Sequence, residues 1–246
     1  MKKIIISDVT LRDGNHAVGH QINKDMINIY SKFAEKNKID ILEIGHGNGL
    51  GASSLTIGRS KISNIQAIKI ARKNLKKTKL SVHSIPGFST LDDVKLAIDN
   101  GTDIVRVGCN SSDIDIIERQ FLYCKKNKVD SWCVFMMFHQ IYSKDKYISI
   151  VKNLKKIGIK TFIVMDSAGI LLPADVKKIF YNLKNLNIRT GFHGHNNLGC
   201  AIANTIQAIK GGAKIIDCSI RGFGAGAGNT QLEIIVALLK RLKISN

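Results

Sequence analysis

Eight short runs rich in aliphatic residues recur along the chain, each separated from the next by an amphipathic stretch. That alternation limits the available architectures more than any other feature. The runs are Lys3 to Ser7, Asp40 to Ile44, Lys79 to His83, Asp103 to Val107, Asp130 to Met137, Lys160 to Met165, Ile188 to His193 and Lys214 to Ser219. They are near-continuous in apolar residues, as parallel strands buried on both faces should be. Between them apolar residues recur at spacings of three and four, as in Met26, Ile29, Tyr30, Phe33 and Ala34, or Leu232, Ile235, Val236 and Leu239. Helix starts and stops are marked by Ser89 before Leu91-Asp92-Asp93, by Pro173 at a first-turn position, and by Gly101, Gly158 and Gly211-Gly212 after helix ends. Eight βα units in a chain of 246 residues predict an α/β fold, a single-domain (β/α)₈ TIM barrel spanning residues 1–246. Two small domains would fit the length as well, but the only prolines are Pro86 and Pro173 and no Ser/Gly-rich spacer interrupts the pattern. The glycine-rich Gly222 to Gly228 follows the last run and lacks the second half of a dinucleotide site.

The remaining composition excludes several classes. Met1-Lys2-Lys3 leads directly into Ile4-Ile5-Ile6, too short for a signal peptide, and no apolar run reaches the length of a membrane span, so a soluble cytoplasmic protein is the expectation. Cys109, Cys124, Cys133, Cys200 and Cys218 contain no C-x-x-C pair and indicate neither a disulfide framework nor a zinc ribbon. The formal charge of +18 would attract anions. Its lysines are spread over the predicted outer helix faces (Lys73, Lys76, Lys77; Lys125, Lys126, Lys128; Lys152, Lys155, Lys156) without interleaved aromatics, which reads as a solvated surface rather than a nucleic-acid footprint.

In a (β/α)₈ barrel the chemistry collects where the strands end. There the first strand delivers Asp8, Thr10, Arg12 and Asp13, followed by His16 and His20. The second delivers Glu43 and His46, the third His83 and Ser84, the sixth Asp166-Ser167, the seventh His193 and His195, and the eighth Arg221. His193-Gly194-His195 places two imidazoles on one face of a strand, because side chains alternate with a period of two. Strands 1 and 7 are separated only by strand 8, so Asp13 can join that pair at one divalent ion, leaving coordination positions open as a catalytic site requires. Arg12 can hold an anionic group beside the ion, and His16 titrates in the range suited to proton transfer. Glu43 and His46 stand at the same rim as candidates to support this set. A structural Arg12-Asp13 ion pair is the plainer alternative.

A metal beside an arginine suits enolate chemistry, because a 2-oxo acid can chelate through its carbonyl and carboxylate. The competing electron sink is a lysine Schiff base. Lysines at the strands fall at their amino ends (Lys3, Lys79, Lys160, Lys214), and Ile163 to Ser167 offers none, which argues against it.

The stretches Ser7 to Ala17, Glu43 to Leu50, Asp166 to Gly169, His193 to Leu198 and Gly222 to Glu233 together resemble the 4-hydroxy-2-oxovalerate aldolase family, within the metal-dependent pyruvate-lyase TIM barrels, and the match spans the chain in order. The resemblance implies that Arg12 stabilises a pyruvate enolate and that Asp13, His193 and His195 bind a divalent metal, Mn²⁺ before Mg²⁺ or Co²⁺. It further implies that His16 is the catalytic base, that Ser167 contacts substrate, and that Asn229 stands behind the metal or reaches it. The implied reaction is reversible cleavage of a 4-hydroxy-2-oxo acid to pyruvate and a short aldehyde. Alternatives on the same barrel are a Claisen-type condensation of an acyl-CoA with a 2-oxo acid, and a non-catalytic barrel subunit. The acyl-CoA lyases are less similar, because their glycine loop carries a cysteine where this chain has Gly224 to Gly228. Asn196 stands where the family usually has another histidine. Family members normally continue into a helical segment that docks an acylating aldehyde dehydrogenase; this sequence stops at Asn246, so the expectation is a barrel without that docking segment. The partner expected is thus a small-molecule 2-oxo acid, with self-association left open.

Overall fold

The computed structural model describes residues 3–110, 115–142 and 146–244; the Met1-Lys2 start and the Asn246 end lie outside the described residues. Eight parallel strands close into a barrel in sequence order: β1 Ile5–Leu11, β2 Ile41–Ile44, β3 Lys79–Ser84, β4 Ile104–Cys109, β5 Asp130–Phe135, β6 Thr161–Asp166, β7 Arg189–Gly194 and β8 Ile215–Cys218. Ile5 opposite Ile215 and Ser7 opposite Asp217 complete the ring between β1 and β8. The outer helices are α1 Gly14–Ala17, α2 Lys24–Lys36, α3 Asn64–Asn74, α4 Leu91–Asp99, α5 Glu118–Lys126, α6 Lys146–Lys156, α7 Pro173–Lys184, α8 Ala201–Gly211 and α9 Leu232–Arg241. The fold is thus the (β/α)₈ TIM barrel that the alternation predicts. Among the described residues no helix is long and apolar enough to cross a membrane.

The first strand departs most from expectation. Instead of ending at Ser7 it continues to Leu11, with a register shift against β2 between Asp8 and Leu11. The polar residues Asp8 and Thr10 are satisfied within the strand. The Asp8 carboxylate accepts from Thr10 N at 2.9 Å, Thr10 Oγ1 at 2.6 Å and, on α2, Tyr30 Oη at 2.6 Å. Arg12 and Asp13 therefore emerge directly from the strand end rather than from a loop. The helix signals hold with two shifts of position: Gly211 is the last residue of α8 rather than beyond it, and Thr90, not Ser89, caps α4 through reciprocal bonds with Asp93, while Ser89 Oγ pairs with Ser84 Oγ at 2.7 Å. Pro173 opens α7, and Gly212, at φ +112°, closes α8 in the left-handed region.

Two cores follow from strands buried on both faces. The larger lies between strands and helices; a smaller one fills the barrel axis with Ile41, Ile104, Trp132, Val134, Ile163, Met165 and Ile215. Two residues further along several of these strands, on the same face, stand Glu43, Arg106 and Asp217. The interior is thus apolar at its amino end and charged toward its carboxyl end, which is where the site is built. All nine lysines named above are exposed, six on helices and Lys76, Lys77 and Lys128 just past helix ends.

Candidate active site

Three ligating atoms, one each from Asp13, His193 and His195, lie within 4.8 Å of one another, and all three residues are buried. His193 is inside β7, whereas His195 lies just past its end in a bridge to Asn229. The two Nε2 atoms face each other at 3.2 Å. Burial, reinforced by the neighbouring His193, lowers the His195 pKa to about 4, so its imidazole is neutral and able to ligate at neutral pH. Burial alone would raise the Asp13 carboxyl, but Arg12 and the two histidines hold it well below the usual carboxylate range. One carboxylate and two imidazoles form a donor set that fits a divalent cation with open positions.

Asp13 is fixed from both sides. Its Oδ1 accepts from Arg12 Nη1 at 2.7 Å, and its Oδ2 accepts from Asn229 Nδ2 at 2.8 Å and Ala225 N at 3.1 Å. The glycine loop makes this approach possible. A Cβ on Gly224 would stand 2.6 Å from Asp13 Oδ2 and closer still to Asn229 Nδ2. Asn229 Oδ1 is buried without a hydrogen-bond partner among the described residues.

Arg12 is 3 % exposed and donates through Nε to Glu43 Oε1 at 2.5 Å. Burial would lower its pKa; Glu43 and Asp13 more than offset this, so the guanidinium stays charged. Its Nη2 has no hydrogen-bond partner among the described residues. Glu43, the only acidic residue of β2, also meets Arg106 Nη1 at 2.7 Å. Arg106 in turn pairs through Nη2 with Asp217, and Asp217 Oδ2 lies 2.9 Å from His193 Nδ1. The chain of buried polar side chains Asp13, Arg12, Glu43, Arg106, Asp217 and His193 thus begins and ends at the three-residue cluster. Arg106 and Asp217 escaped the sequence reading, which searched only strand ends. Their signal was a single charge inside an otherwise apolar run, Ile104-Val105-Arg106-Val107 and Ile215-Ile216-Asp217.

A cavity of about 470 Å³ opens over the cluster, lined by Arg12, Asp13, His16, Ser167 and His195 among others. His16, on α1, packs its ring against Gly47, where a Cβ would come within 2.6 Å of ring atom Cε1. Burial lowers the His16 pKa, partly opposed by Asp13. Ser167 Oγ accepts from Met137 N at 3.0 Å, which leaves its hydroxyl proton free to donate. His83 also lines the cavity, and burial beside Arg12 and Arg106 depresses its pKa well below the usual histidine value.

His46 stands apart from the others. Its Nδ1 accepts from Asn48 N at 3.1 Å, its Nε2 lies 3.0 Å from Gly58 O, and its ring stacks on His20 with centroids 3.6 Å apart. It pins the loop behind His16 rather than reaching the three-ligand cluster. Lys3 and Lys79 line a separate cavity at the amino ends of the strands, and among the described residues no lysine lines the cavity over Arg12.

The HMGL-like family model matches residues 3–246. The 4-hydroxy-2-oxovalerate aldolase of Spirochaeta aurantia is 47% identical over 98% of this chain and 71% of its own length. The enzyme of the same name from Pectobacterium atrosepticum is 42% identical over 98% of this chain and 71% of its own length. Among solved structures, the N-terminal domain of a candidate aldolase from Bacteroides vulgatus superposes with a TM-score of 0.85 at 25% identity, covering 98% of this chain and 80% of that one.

Proposed function

The chain belongs to the HMGL-like family, and from that premise we propose that it is a carbon-carbon lyase, a metal-dependent aldolase that reversibly cleaves a 4-hydroxy-2-oxo acid to pyruvate and a short aldehyde. The observation that carries the reading is the convergence of Asp13, His193 and His195 beside the unpartnered Nη2 of Arg12.

Asp13, His193 and His195 would hold the divalent ion, for which the family resemblance favours Mn²⁺ before Mg²⁺ or Co²⁺. When bound, the ion supplies Lewis acidity to the 2-oxo group of the substrate. The protein's own groups account for the rest. Arg12 directs Nη2 at the oxygen on which charge develops, and its other nitrogens are already held by Glu43 and Asp13, so the donor is oriented before the reaction begins. His16, kept neutral by burial, takes the proton of the 4-hydroxyl as the C3–C4 bond breaks. The electron pair of that bond passes toward the 2-oxo oxygen, and the proton held on His16 returns to C3 of the resulting enolate, which gives pyruvate and restores neutral His16. Ser167 donates its free hydroxyl proton to the substrate carboxylate. Ile85, Phe88 and Met136 form an apolar wall of the cavity that keeps water from the enolate.

The test is pyruvate release from 4-hydroxy-2-oxopentanoate with Mn²⁺ and with chelator. Metal-dependent release of pyruvate is expected; no turnover of any 4-hydroxy-2-oxo acid contradicts the reading.

A further inference from the structure

The same oxygen of Asp217 serves two buried partners: Oδ2 meets Arg106 Nη2 and also His193 Nδ1 at 2.9 Å. All three side chains are at most 1 % exposed. A carboxylate only accepts hydrogen bonds, and the Arg106 guanidinium paired with this oxygen is the buried counterion that favours the carboxylate form. The His193 proton must then sit on Nδ1, which leaves the Nε2 lone pair facing His195 Nε2 at 3.2 Å. Arg106 is itself anchored on the far side by Glu43 at 2.7 Å and Ser7 Oγ at 3.2 Å, so the guanidinium cannot swing away.

We propose that Arg106 and Asp217 are positioning residues that fix the tautomer and ring orientation of His193, so that the Nε2 lone pair is preset for the divalent ion. The inference rests on His193 being a metal ligand, and it goes beyond that assignment by naming what makes it one. A purely structural ion pair would predict something different. Replacing a buried pair by apolar side chains of similar volume is often neutral for stability, and here it would leave the buried net charge unchanged, because one cation and one anion leave together. The positioning role predicts that the fold survives such a replacement and the metal affinity does not.

Two measurements decide it. Long-range ¹H–¹⁵N correlation on the metal-free protein near pH 8 should show His193 protonated on Nδ1; an Nε2–H tautomer overturns the proposal, and this result needs no variant. The double variant Arg106→Met/Asp217→Leu should keep a thermal midpoint close to that of the unaltered protein while Mn²⁺ binds about 10–100-fold more weakly by calorimetry. Asp8→Asn, a buried carboxylate bonded instead to Thr10 and Tyr30, should leave Mn²⁺ affinity within about twofold, the null expected for a site with no path to the ligands. Unchanged Mn²⁺ affinity in the folded double variant overturns the proposal while leaving the aldolase reading intact. Failure of the unaltered protein to bind any divalent ion overturns both. If the double variant does not fold, the tautomer of the unaltered protein decides alone.

Discussion

Arg12 donates through Nε to Glu43 Oε1 at 2.5 Å, and this bond, with the one from Nη1 to Asp13, holds a buried guanidinium so that one nitrogen, Nη2, has no hydrogen-bond partner among the described residues. A charged donor fixed on two sides and free on the third is what stabilisation of developing negative charge requires.

Arg12→Lys keeps the charge but cannot reproduce the fork. A lysine ammonium is a point donor and cannot serve Glu43, Asp13 and substrate in one plane. We expect kcat to fall by about 10²–10³ with little change in KM, measured by steady-state pyruvate release.

Gly47→Ala should resemble His16→Ala. The added Cβ would collide with the His16 ring, and Gly47 itself carries no functional group. Both variants should lower kcat by about 10²–10⁴ while Mn²⁺ affinity, read by calorimetry, stays within about threefold, because neither change touches a ligand atom.

Gly224→Ala should act on the metal instead. Its Cβ would press on Asp13 Oδ2 and Asn229 Nδ2, the contact that orients the carboxylate. Mn²⁺ affinity should fall at least about tenfold, with the circular dichroism spectrum unchanged.

The barrel was legible because strands buried on both faces and amphipathic helices leave different periods in the sequence, repeated eight times. The rim residues were legible because turns after strands carry polar groups in concentrated form: Arg12, Asp13, His16 and Ser167 all line one cavity. Asp8 misled, since a carboxylate after an aliphatic run reads as a strand end, whereas Thr10 and Tyr30 satisfy it inside β1. His46 misled for a related reason: nothing local shows that its two ring nitrogens are taken by Asn48 and Gly58. Arg106 and Asp217 could not be paired from sequence, because their partnership spans the barrel interior and 111 positions of chain.

Acid should weaken the fold through His20. Burial, with the stacked His46 beside it, lowers the His20 pKa to about 4, against 6.5 for the ordinary side chain. Below pH 6.5 the unfolded chain binds a proton that the folded one refuses, so this stabilisation is present above pH 6.5 and is lost as pH falls toward 4. The slope from this one proton reaches at most about 1.4 kcal/mol per pH unit. Urea unfolding of His20→Asn, a residue that tolerates the φ of +63° at this position, should show a flatter pH dependence across that window than the unaltered protein.

The central claim is that this site makes and protonates a pyruvate enolate with the help of a divalent ion held by Asp13, His193 and His195. Exchange of pyruvate methyl protons in D₂O, read by mass spectrometry, tests it without reference to any aldehyde. The account predicts deuterium uptake that requires added Mn²⁺, stops with chelator and is absent from Asp13→Ala; no uptake, or uptake indifferent to the metal and to Asp13, would contradict it.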